Sequence, residues 1–296
     1  MSDAYPIVTV EPEWVINPEE MGGKTKFWYG KPDDNTNWLF KYPRPNTGEH
    51  WAEKIASEIA SLIGITHAKV ELAEFQGERG SVTESFARGG RVLHHGNQML
   101  EVTVDGYNPN QKFRQSSHTL ANIWKVVDAI FLDPESAKQA KPIIAEYTVL
   151  DALIGNTDRH HENWGILRRR AGDEGGSFVA PSYDHASSLG RELRDERRDR
   201  LMAENRIGDY AERGRGAIYW SEDERYGPSP LELVRRAAPT YPDLFHSALA
   251  KLQKLGEDSI SAIVNRVPDN WMSPAARTFA ITLMCYNFEQ LGGMIQ

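Results

Sequence analysis

An apolar run at helical spacing, with Tyr147, Leu150, Leu153 and Ile154 turned inward, stops at Gly155. Within ten residues the chain then presents Asp158-Arg159-His160-His161-Glu162-Asn163, followed by Trp164-Gly165-Ile166-Leu167, which reads as a short strand. No other stretch limits the fold as much. A long packed helix must deliver a polar loop to a cleft and hand the chain to a strand behind it. Asp158 and Asn163, five apart, place a proton acceptor and an amide oxygen within a few ångströms of each other. The helix is expected to open at Pro142, because proline suits a first turn.

A second acidic element follows a glycine-rich turn. Asp184, in Ala180-Pro181-Ser182-Tyr183-Asp184-His185, sits just past a short strand pattern at residues 177–180 and offers a hard oxygen of the kind magnesium takes. An aspartate, an asparagine five on and a later aspartate match the order of the catalytic loop and metal-binding aspartate of kinases. A zinc site is the competing metal chemistry, but His160-His161-Glu162 lacks a helix-spaced partner histidine. Arg159, His161 and Glu162 read as ordinary loop residues.

Ahead of this loop the chain reads as strands with one helix. Gly22-Gly23 opens a turn into a β-prone aromatic segment; its backbone N–H groups suit a phosphate, and Lys24 or Lys26 adds charge. The Gly-Lys-Ser/Thr ending of a Walker loop is missing, and a plain Gly-Gly hairpin is the simpler account of the turn by itself. Lys41 lies among Trp38-Leu39-Phe40, where an ammonium is costly unless it reaches a partner. Trp51, Ile55, Ile59 and Leu62 then form a helical stripe closed by Gly64, with Glu53 and Glu58 both at its edges. Spacing does not choose between those glutamates. Residues 68–75 and 81–88 read as two further strands, and from about residue 91 the chain is expected to turn helical.

The wording of Gly155-Asn156-Thr157-Asp158-Arg159-His160-His161-Glu162-Asn163 and of Pro181-Ser182-Tyr183-Asp184 resembles the HipA-like serine/threonine kinases. The resemblance covers most of the chain and is strongest at residues 150–190. It implies an α+β, two-lobed protein-kinase-like fold, with a small β-rich N-lobe over residues 1–90 and a larger, mainly helical C-lobe over 91–296. It implies ATP and Mg2+ as cofactors. Gly22, Gly23, Lys24 and Thr25 would cover the phosphates, Lys41 would bind them, and Glu53, eleven residues before Gly64, would be the lysine's partner. Residues 83–86, with Glu84 and Phe86, take the place of the hinge that meets adenine. Asp158 would be the catalytic base, His160 a loop organiser, and Asn163 with Asp184 the metal ligands. The implied activity is transfer of the γ-phosphate to serine or threonine of a protein substrate, autophosphorylation included, with an antitoxin-type partner. About twenty residues precede the glycine turn, which suggests a stand-alone kinase domain. Three alternatives stand beside this reading: a lipid or small-molecule kinase of the same superfamily, a kinase-like binding module without catalysis, and use of the same fold to transfer AMP instead of phosphate.

Composition narrows the field further. Lys and Arg number 34 against 42 Asp and Glu, a net charge of −8 that argues against direct nucleic-acid binding. There is no membrane-length apolar run and no basic amphipathic helix, so neither a membrane nor a lipid surface is expected. The single cysteine, Cys285, permits no intrachain disulfide and suits a reducing cytoplasm. The charge-dense stretch at 191–230 reads as a solvated helix face, with Gly214–Trp220 as a substrate-reading segment.

Overall fold

The structure, a computed structural model, describes residues 3–21, 24–32, 35–169 and 176–294, and the side chains of all of these but 17–21, 24 and 25. Gly22 and Gly23 lie outside the described residues, as do the side chains of Lys24 and Thr25.

Six strands build the first sheet: β1 (Ile7–Val10), β2 (Val15–Met21), β3 (Lys24–Gly30), β4 (Asn37–Lys41), β5 (Val70–Phe75) and β6 (Glu78–Glu84). Their spatial order is β1-β5-β6-β4-β3-β2, antiparallel except for the β1–β5 pair. Alternation gives the sheet two different faces. Phe27, Tyr29, Trp38, Phe40 and Val82 fill one face with a small aromatic core, in which Phe27 and Phe40 stack at 5.0 Å. Lys41 and Ser81, directly opposite each other in register, point to the other face. Gly80 is required here for space: a Cβ would come within 2.5 Å of the Phe40 ring and 2.6 Å of the Lys41 carbonyl.

Helix α1 (Glu49–Ile63) crosses the Lys41 face. Trp51, Ile55, Ile59 and Ile63 step by four along its buried ridge, and Gly64 closes it in the left-handed region at φ 75°. The expected stripe is corrected at its end. Leu62 is exposed and Ile63 takes the buried place, because steps of four from Trp51 stay on the side that faces Leu72.

Residue 91 does not begin a helix. Arg91–His95 is strand β7, which pairs antiparallel with β8 (Gly165–Arg169), and β8 pairs with β9 (Phe178–Val179). A ladder partner some seventy residues away turns this short segment into a strand, and only then do α2 (Gly96–Thr103) and α3 (Leu120–Ile130) follow. The central helix α4 (Pro134–Ile154) starts earlier than expected. Asp133 caps it by accepting from Ser136 N at 3.0 Å, and Pro142 sits inside, forgoing one backbone bond.

Around α4 pack α7 (Pro230–Thr240), α8 (Pro242–Ala250) and α10 (Pro274–Gly292), the last capped by Ser273. Between β9 and α7 come α5 (Asp195–Ala203) and α6 (Ile207–Arg213), and α9 (Glu257–Val264) precedes α10. A β-rich lobe with one α-helix thus sits on a larger, mainly helical one. One continuous apolar core, running from Ile55 and Ile59 of α1 to Leu150 and Leu153 of α4, joins them. Among the described residues no helix is long and apolar enough to cross a membrane.

Candidate active site

The geometry starts where α4 ends. Gly155 adopts φ 65°, which lets the chain leave the helix sharply toward the cleft. Asp151, in the last turn, faces the negative end of the helix, an unfavourable place for a carboxylate without a partner. Arg159 is that partner. Its Nε and Nη2 each donate to one Asp151 oxygen at 2.7 Å, and both side chains are buried. Its Nη1 donates to the carbonyls of Asn163 at 2.7 Å and Tyr183 at 3.0 Å, and its Nη2 also reaches Ser182 Oγ at 3.0 Å. Burial works to lower its pKa, but Asp151 more than offsets this and raises it, so the guanidinium stays charged.

One buried cation therefore ties the end of α4, the end of the polar loop and the residue before Asp184 into a single unit. Arg159 is not the ordinary loop residue expected from sequence. Its only local signal was the misplaced acidic group at Asp151.

Within the loop, Asn163 Nδ2 donates to the Asp158 carbonyl at 2.7 Å. This commits the amide nitrogen and makes oxygen the outer end of the side chain. Asp158 N donates to Asn156 Oδ1 at 3.1 Å, and Asp158 Oδ2 accepts from Ser187 Oγ at 3.4 Å. His160 Nδ1 accepts from Glu162 N at 3.2 Å; burial foremost, then Lys112, pushes its pKa down to about 4, so the ring is neutral. His161 and Glu162 are also more than loop surface. His161 is buried with Nδ1 2.7 Å from Tyr107 Oη, and Glu162 pairs with Lys112 at 2.5 Å.

Lys41 Nζ reaches across the cleft. It lies 2.9 Å from Glu53 Oε1 and 3.3 Å from Asp184 Oδ1. Burial alone would lower the lysine's pKa, but Asp184 and then Glu53 reverse this and raise it, so the amine is held as a cation. Ser81 Oγ donates to the other Glu53 oxygen at 3.0 Å. Glu58, the alternative lysine partner, bonds Lys54 at 2.6 Å instead. Asp184 sits at φ 59°, in the left-handed region, which an aspartate tolerates better than most side chains do. At the mouth between the lobes Phe86 meets the Tyr183 ring at 5.4 Å, while Glu84 pairs with Arg88.

Lys41, Glu53 and Asp184 thus form one contact set, and Asp158 with Asn163 another, with Arg159 bonding the Asn163 carbonyl and the Tyr183 carbonyl just before Asp184. A cavity of about 830 Å³ opens beside Asp158 and Ser187. Lys41, Asn163 and Asp184 do not line it. A carboxylate and an amide oxygen are the hard donors that magnesium takes when substrate phosphates complete its shell. Among the described residues no group of three or more His, Cys, Asp or Glu is placed to hold a metal by itself.

Comparison with known proteins sets this geometry in a family. The model for the HipA-like C-terminal domain matches residues 15–271. The serine/threonine-protein kinase CtkA of Helicobacter pylori is 25% identical over 192 residues, 59% of this chain and 54% of that protein, so the match spans about half the length of the relative. The crystal structure of the H. pylori proinflammatory kinase CtkA superposes with a TM-score of 0.80 at 16% identity, covering 98% of this chain and 99% of that one. HipA of Shewanella oneidensis MR-1, solved with HipB and its operator DNA, gives a TM-score of 0.58 at 14% identity, over 99% of this chain and 67% of its own. The superposition on CtkA shows the kinase-like fold.

Two outcomes follow from the clamp and its surroundings. Asp151→Ala leaves the Arg159 guanidinium buried without its counter-charge, and urea unfolding is expected to show a loss of about 3–5 kcal/mol. The second concerns His118, whose Nδ1 faces the Ala217 carbonyl at 2.8 Å while Nε2 accepts from Trp164 Nε1 at 3.0 Å. Burial pushes its pKa from 6.5 down to about 3. Neutral His118 therefore contributes stability in full above about pH 6.5, and that contribution is lost as pH falls toward 3. The thermal midpoint of His118→Gln, measured across this window, is expected to fall less steeply with acid than that of the wild type.

Proposed function

We propose that this chain, which belongs to the HipA-like C-terminal domain family, is an ATP- and magnesium-dependent kinase that transfers the γ-phosphate to serine or threonine of a protein, itself included. One observation carries the reading: the Lys41 amine is held between Glu53 of the small lobe and Asp184 of the large one, at 2.9 and 3.3 Å. A cation fixed at that point is placed to take the α- and β-phosphates of ATP.

Each remaining residue then has a task that its surroundings support. Asp158 orients the acceptor hydroxyl and takes its proton; the Ser187 hydroxyl already occupies a comparable position on Oδ2. Asn163 and Asp184 would hold magnesium through oxygen, and the ion when bound neutralises charge building on the phosphates. Phe86 would offer an apolar edge to adenine at the end of β6, where the Glu84 and Ser85 N–H groups are taken up by the Lys69 and Asn37 carbonyls, and residues 22–25 would cover the phosphates. His160 holds the loop's shape as a neutral ring and is not the base. Positioning and charge carry most of the rate, since the transferred group needs little covalent help.

We place the division between the lobes at residues 90 and 91. β6 ends the first sheet at Glu84, and β7 joins the second. An antitoxin-type partner belongs to the same reading, supported by the HipB bound to S. oneidensis HipA.

Incubation with γ-labelled ATP and magnesium tests the proposal. The wild type is expected to label itself or an added protein. Asp158→Ala is expected to lose roughly 100-fold or more of that rate, as removal of a positioned base does. No label from γ-labelled ATP, with label transferred in a parallel incubation with α-labelled ATP, would mean AMP transfer and would sink the kinase reading.

A further inference from the structure

The cavity beside Asp158 has a charge of its own. It is walled by residues 112–115, the turn after α4 and much of the 187–230 stretch. Eight of its lining residues are Lys or Arg and three are Asp or Glu, in a chain whose net charge is −8. The charge runs of the 191–230 stretch are thus not only a solvated face, since part of them turns inward.

Most of the negative charge here is already committed. Asp209 is held by Arg206 at 2.9 Å and faces Arg213 at 3.8 Å, and Glu192 accepts from Tyr210 Oη at 2.9 Å. Of the positive charge, Arg44, Lys112, Arg206 and Arg213 are paired with carboxylates, and the rest is in surplus. Arg191 shares the Glu49 carboxylate with Arg44, at 3.2 and 3.6 Å, and its buried Nε has no hydrogen-bond partner among the described residues. Arg114, Arg197 and Arg215 have no carboxylate partner among the described residues. Arg215 lies over the Tyr226 ring at 5.0 Å, which steadies it at the wall. Surplus guanidinium groups converging on a concave space are the usual recognition chemistry for carboxylates, which they grip in a fork.

We infer that this cavity receives an acidic segment of the acceptor protein, with aspartate or glutamate beside the serine or threonine presented to Asp158. The inference rests on the proposed kinase function and adds the substrate's chemistry to it. The volume, about 830 Å³, suits a few residues of extended chain rather than a duplex nucleic acid. Arg191 also donates to Ser187 Oγ at 3.1 Å, and Ser187 in turn meets Asp158. An acidic group drawn to Arg191 therefore arrives next to the position an acceptor hydroxyl must take.

Fluorescence anisotropy of short labelled peptides tests this without requiring turnover. A serine flanked by Asp and Glu is compared with the same serine flanked by Gln and by Lys, and with a single-stranded oligonucleotide of equal charge. The acidic peptide is expected to bind at least tenfold more tightly than either other peptide, and to weaken as salt rises from roughly 50 to 300 mM. Arg197→Glu with Arg215→Glu is expected to bring it to the level of the neutral peptide, with the urea midpoint of the variant checked against the wild type. If that variant does not fold, Arg197→Gln with Arg215→Gln is expected to lose about half of the preference on a logarithmic scale. Equal binding of the three peptides, or tighter binding of the oligonucleotide, overturns the inference. Adding γ-labelled ATP separates the two claims. An acidic peptide bound but never labelled refutes the kinase function and leaves the acidic site, whereas label passing preferentially to the Lys peptide does the reverse.

Discussion

A single buried guanidinium holds the candidate site together. Arg159 spans the Asp151 carboxylate, the Asn163 and Tyr183 carbonyls and the Ser182 hydroxyl. Tyr183 Oη on the Glu162 carbonyl and Ser187 Oγ on Asp158 also join the polar loop to the Asp184 segment, but each is a single bond. With Arg159, the ends of three separate chain segments are set by one planar group whose geometry leaves little freedom. Burying such a charge is unfavourable in itself, and only a bidentate carboxylate with further acceptors offsets the desolvation. That requirement explains why Asp151 sits at the end of α4, where its sign opposes the helix dipole.

The second constraint acts between the lobes. Lys41 is on a strand of the small lobe, Glu53 on the helix packed over that strand, and Asp184 on the large lobe. Two carboxylates raise the lysine's pKa against the effect of burial, so the cation persists at every physiological pH. A charge balanced by residues from both lobes is sensitive to their relative placement. The aromatic face of the sheet, with Phe40 against Gly80, fixes the strand from which Lys41 extends. Packing far from the cleft thus reaches the site through one short stretch of β4.

What the sequence made legible follows the range of the interactions. Local patterns gave α1, the Gly155 stop and the loop carrying Asp158 and Asn163, since each depends on residues within one or two turns. The family resemblance selected Glu53 over Glu58, where periodicity alone could not, and Lys41 lies against Glu53 while Glu58 bonds Lys54. Features set by distant partners were not legible. β7 exists because β8 pairs with it, Pro142 lies within a helix whose start is set by Asp133, and Arg159 matters because of Ser182 and Tyr183 across the fold. The basic cavity was hidden in the same way. Runs of mixed sign give no indication of which arginines turn inward until α5 and α6 are folded against α10.

The central claim is that Lys41 stands at the phosphates of a nucleotide bound between the lobes. An acyl-phosphate derivative of ATP, which transfers its acyl group to an amine lying beside the phosphates, tests this directly when the modified residue is mapped by mass spectrometry. Modification at Lys41, suppressed by excess ATP with magnesium, is the expected result. Modification confined to other lysines, or at Lys41 but indifferent to competing ATP, would contradict it.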